Sequence, residues 1–83
     1  MRITRDITHT GDGGPIRVRM DDTDPAQTAA DILARRMYGP AGYCRVLRLD
    51  SWTADGDRYT YDAFLGVRSG PGTTVGRNVW IYV

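Results

Sequence analysis

The sequence predicts an α+β two-layer sandwich: an antiparallel β-sheet with one α-helix on one face, in the order β-β-α-β-β-β. Three observations carry this reading. "IRVRM" at 16–20 alternates apolar and charged residues without a break, the period of a half-buried strand. "DDTDPAQTAADILARRMYGP" at 21–40 holds one helix with both a start and a stop signal. Three turn-bounded apolar runs then follow it. A helix with one apolar stripe and a sheet with one apolar face must cover each other, and layering them is the simplest solution. A β-grasp shares the order of elements and is the topological alternative.

The elements justify themselves in turn. Arg2 to Thr10 alternates weakly, with Ile3 and Ile7 on one face and Thr4, Asp6 and Thr8 on the other. "GDGGP" at 11–15 is a turn, since Gly takes positive φ freely and Asp tolerates it. Ile16, Val18 and Met20 then point inward and Arg17 and Arg19 outward, so the two segments form a hairpin. In the helix, Asp24 or Thr23 caps the N-terminus and Pro25 suits the first turn. Ala26, Ala29, Ala30, Leu33 and Met37 recur at helical spacing on one apolar face. Asp31 and Arg35 are spaced to pair, Gly39 permits a left-handed cap, and Pro40 prevents continuation. Tyr43 to Trp52 alternates imperfectly, with Tyr43, Leu47 and Leu49 opposite Cys44, Val46 and Arg48, which suits a central or bulged strand. "TADGD" at 53–57 is a turn. "RYTYDAFLGVR" puts Tyr59, Tyr61, Ala63, Leu65 and Val67 on one face and Thr60, Asp62, Phe64 and Gly66 on the other. "SGPG" breaks the chain at 69–72. The last strand points Val79, Ile81 and Val83 one way and Asn78, Trp80 and Tyr82 the other.

At 83 residues the chain is read as a single domain spanning 1–83. A chain this short buries only about 60–65% of its unfolded surface, enough for one thin core. With 41% hydrophobic and 25% charged residues it is globular rather than disordered. Every cation but His9 is Arg and every anion is Asp, yet the net charge is +1, so no global field draws nucleic acid or anionic membrane. No stretch approaches the about 20 apolar residues of a membrane span, and "MRITRDITHT" has no apolar signal core. A soluble, cytoplasmic protein is the expectation.

Little in the sequence suits catalysis. His9, the one imidazole, sits beside a glycine turn and reads as solvent-facing; the aspartates sit in turns and at the helix start, where caps and turn bonds are their ordinary work. Cys44 is the one cysteine, which excludes an internal disulfide and a cysteine-rich zinc site and reads as a buried structural thiol. "GDGG" and "GPGTTVG" both feed strands and lack the Lys and Ser/Thr at a helix start that a phosphate loop needs. No catalytic residue, metal or cofactor is expected.

The face of the sheet away from the helix is more informative. If the helix covers Ile16, Val18, Tyr59, Tyr61, Leu65, Val79 and Ile81, the other face carries Arg17, Arg19, Arg48, Asp62, Phe64, Trp80 and Tyr82. Trp, Tyr and Arg dominate binding hot spots, so these seven form a candidate partner-binding surface. A protein partner fits it; single-stranded nucleic acid stacking on the rings fits less well at this net charge. A second copy of the chain, making a homodimer, would cover the same residues.

The stretch 26–83 also resembles small phage-encoded anti-CRISPR proteins, in particular a type I-E inhibitor family. The residues that carry the resemblance are the alanine-rich helix "AQTAADIL", the aromatic strand "YTYDAFLGV", and "TTVG" at 73–76 just before a hydrophobic final strand. The resemblance implies a non-enzymatic inhibitor acting in the cytoplasm of the host cell. Such a protein binds a subunit of the host's RNA-guided CRISPR surveillance (Cascade-type) complex, and blocks DNA binding or nuclease recruitment. Near-neutral charge favours a shape-complementary protein contact over imitation of DNA. The alternatives are a single-stranded nucleic-acid-binding module and a small oligomerising phage structural protein.

Overall fold

The computed structural model describes residues 3–52 and 59–83, the side chains of 47–52 excepted. The elements are β1 (Thr4–His9), β2 (Ile16–Arg19), α1 (Pro25–Tyr38), β3 (Tyr43–Trp52), β4 (Tyr59–Gly70) and β5 (Thr73–Tyr82). The five strands form one sheet in the order β2-β1-β5-β4-β3, and every pairing is antiparallel. One helix packs on one face. The two-layer α+β sandwich in the order β-β-α-β-β-β is therefore the fold, and the antiparallel pairings choose it over the β-grasp.

The topology explains why one helix suffices. The β1–β2 hairpin forms one edge of the sheet and β3 the other, so α1 must cross between edges. Its 14 residues span about 21 Å, and five strands spaced about 4.8 Å apart are about 19 Å wide. Helix length and sheet width match. The chain then returns through β4 to β5, which closes against β1.

Local chemistry sets the helix ends. Asp24 is the N-cap, its carboxylate accepting from the Gln27 N–H at 3.3 Å, and Pro25 opens the first turn. Asp22 Oδ1 accepts the Asp24 N–H at 2.9 Å. The Thr28 side chain and that N–H hold the Asp22 carboxyl below its ordinary range. At the other end Gly39 has φ +81° and donates its N–H to Arg35 O. The buried stripe is Ala26, Ala29, Ala30, Leu33 and Ala34. Four alanines among five residues bring the helix backbone down onto Ile7, Ile16, Val18, Ala63, Leu65, Val79 and Ile81.

Several details differ from the sequence reading. Ile3 and Met20 lie outside the strands and are exposed, Met20 to 54%, because β2 ends at Arg19. β3 is an edge strand, with the irregularity falling between Arg48 and Trp52. Asp31 bonds Gln27 and Cys44 rather than Arg35. The "TADGD" turn lies outside the described residues.

His9 is half-buried, not solvent-facing. Its Nδ1 accepts the Gly11 N–H at 3.0 Å, and Nε2 lies 2.9 Å from Gly14 O, so the ring clamps the β1–β2 loop. The same loop is tied down by Arg36, which donates to Gly14 O at 2.7 Å, and by the Asp12–Arg77 bridge at 2.8 Å.

Candidate functional site

In an antiparallel sheet directly paired residues share a face, so the register states which side chains line the uncovered side. Its rows run Asp6 with Arg17; Thr8, Tyr82 and Thr60; Trp80 with Asp62; Asn78, Phe64 and Arg45; Gly76, Gly66 and Tyr43; and Thr74 with Arg68.

Two glycines shape the middle of this surface. A Cβ on Gly76 would stand 2.8 Å from Phe64 Cζ and 2.8 Å from Gly66 Cα, and would collide with Leu65 O. One on Gly66 would stand 3.0 Å from Phe64 Cε1. The Phe64 ring therefore lies over the two glycines and occupies the space their side chains would fill. Tyr43 closes the other side of the ring, with centroids 6.4 Å apart and planes tilted by 52°, and its hydroxyl bonds Thr74 Oγ1 at 3.2 Å. Tyr43, Arg45, Asp62, Phe64, Thr74 and Asn78 line a depression of about 560 Å³ on this face.

The polar groups in the depression differ in how they are held. Asp62 Oδ1 accepts from Asn78 Nδ2 at 2.9 Å. Arg45 is exposed and has no hydrogen-bond or ion-pair partner among the described residues; the same holds for Arg68. Trp80 is 43% exposed while its backbone is fixed at both groups: its N–H donates to Thr10 Oγ1 at 2.9 Å and its C=O accepts from Thr10 N at 3.0 Å. It is a large exposed ring on a paired strand, next in register to Asp62 at the margin of the depression that holds Arg45.

Of the residues expected here from sequence, Asp62, Phe64, Trp80 and Tyr82 occupy this face together on β4 and β5. Arg17 and Arg19 share the face but sit on the far edge strand. They are engaged there by Asp6 at 3.3 Å and Asp21 at 2.8 Å, away from the depression. The backbone of Arg48 pairs with Tyr61, in step with Cys44 and Val46, and its side chain lies outside the described residues. The β3 cation in the depression is Arg45, and Tyr43 is its aromatic neighbour. Sequence reasoning passed over both. The signal was the apolar pair Cys44 and Val46, which packs against the core and fixes the phase of β3.

Elsewhere the chemistry is structural. Cys44 is a free thiol that donates to Asp31 Oδ1 at 2.9 Å and receives Gln27 Nε2 at 3.0 Å. Burial, then the Asp31 carboxylate, pushes the thiol up to about 12. Among the described residues no cluster of three or more His, Cys, Asp or Glu is placed to hold a metal ion. No described helix is long and apolar enough to cross a membrane. No family model, curated protein or solved structure matches the chain.

Proposed function

We propose that the protein is a non-enzymatic binding module that docks a protein partner on the uncovered face of its sheet. The observation that carries this reading is the exposed Trp80 beside a depression lined by Tyr43, Phe64 and the unpaired Arg45. Large aromatics and Arg supply most of the energy of protein interfaces when a partner desolvates them. A pleated strand presents them with little conformational entropy left to lose.

The resemblance to type I-E anti-CRISPR proteins names the partner to test first, a subunit of an RNA-guided surveillance complex in the host cytoplasm. That choice rests on the sequence features alone. Titrating the purified complex with wild-type protein and with Trp80→Ala and Arg45→Asp should give saturable binding that both variants weaken by at least tenfold, with unchanged melting temperatures. Binding undiminished in both variants would reject the face.

Single-stranded nucleic acid is the second reading. It is favoured by Arg45 and Arg68 standing unpaired near the rings. Labelled oligonucleotides titrated at two salt concentrations separate the readings, since phosphate contacts weaken steeply with salt.

A further inference from the structure

The edge of β5 is only partly paired. β1 meets it at Thr8–Tyr82 and His9–Ile81, Thr10 adds the last bonds to Trp80, and the chain then turns toward Leu33 and Met37 of the helix. Backbone groups on a strand point alternately to its two neighbours. Trp80 bonds toward β1, whereas Val83 exchanges both bonds with Tyr59 of β4. By the same alternation Asn78, Gly76 and Thr74 direct their N–H and C=O groups to the side where β1 has ended. These six groups have no partner among the described residues. The result is a notch five residues long, in line with β1 and stopped at one end by Thr10.

We infer that a partner protein adds an extended acidic segment to this notch, antiparallel to β5, using Thr74, Gly76 and Asn78 as its hydrogen-bonding template. The inference rests on the reading that this side of the sheet receives a protein partner. Strand addition lets main-chain bonds give affinity while alternate side chains give specificity. The surroundings define those side chains. On the helix side, the residue opposite Arg77 meets a guanidinium held only by an exposed bridge to Asp12, and the residue opposite Val75 covers a side chain that is 54% exposed. On the open side, the Phe64 ring lies over Gly76, so a large apolar residue opposite that glycine meets the ring. The residue opposite Thr74 points toward the unpaired Arg68, two strand spacings or about 10 Å away. Read in the partner's direction, this is a polar residue, an acid, a large aliphatic, a small aliphatic and an acid. A second copy of β5 fits poorly. Paired about Gly76 it sets Val75 opposite Arg77 and brings no carboxylate to either Arg.

The probe is the peptide acetyl-Thr-Asp-Leu-Val-Asp-amide, added to millimolar concentration to the ¹⁵N-labelled protein with amide hydrogen exchange as the readout. Exchange at Thr74, Gly76 and Asn78 is expected to slow at least tenfold. Val75 and Arg77, already bonded to β4, change little. A peptide with Lys in place of both Asp should give no protection. Thr74→Pro should abolish protection by the acidic peptide, because it removes an outward N–H and spares the β4 ladder. No protection in wild type, equal protection by the Lys peptide, or protection that rises with protein concentration without peptide would overturn the inference. Failure of the peptide while Trp80→Ala still abolishes partner binding removes strand addition and leaves the docking face standing.

Discussion

Phe64 shows how a single residue on this surface is specified by its neighbours. A ring lying over a sheet needs empty positions beneath it, and Gly66 and Gly76 provide them. Gly76→Ala should therefore destabilise the fold by about 1–3 kcal/mol through overpacking, read as a lower midpoint in urea. Cys44 makes a separate prediction. Its folded-state value of about 12 lies above the ordinary thiol value of 9.0, so the folded protein favours the neutral form. Its contribution to stability is complete below pH 9 and falls away as pH rises toward 12. Thermal melts should show this alkaline loss in wild type and a smaller one in Cys44→Ala. Native protein should also react with iodoacetamide at pH 8 at least tenfold more slowly than unfolded protein. The sequence showed Phe64 on the outer face because β4 alternates regularly. It did not show the ring resting on glycines, since that contact joins two strands whose register is set only by the assembled hairpin.

The helix was legible in the sequence almost residue by residue, because its signals are local: an Asp cap, a Pro start, an apolar stripe and a Gly stop. Asp24→Ala should cost about 0.5–2 kcal/mol, measured as a shift in urea midpoint. Asp22 adds a pH dependence. With its carboxyl held below the ordinary value of 3.8, its contribution is present above that pH and is lost as pH falls further. Asp22→Asn should flatten the acid limb of the stability profile. Leu33 is fully buried beneath the sheet, and Leu33→Ala should cost about 2–5 kcal/mol. β3 was less legible. Apolar residues occur in both phases of its alternation, so its face could be fixed only by the strand it pairs with. That ambiguity is why Arg48 was expected on the uncovered face and Arg45 was not.

At the scale of the whole molecule, one helix crossing five strands leaves the opposite side of the sheet without a layer. The order of elements announced that uncovered face, and the alternation of β4 and β5 announced most of what stands on it. The partly open edge of β5 was not legible, because it depends on β1 stopping at Thr10 beside a longer strand. A net charge of +1 gives the molecule no strong long-range field, so charge acts at this face only locally, through individual arginines. The most direct test compares capture of proteins from a cell lysate by tagged wild type and by Trp80→Ala, after matching their melting temperatures. A specific partner should be retained by wild type and lost from the variant. Equal capture of the same partner by both proteins would contradict it.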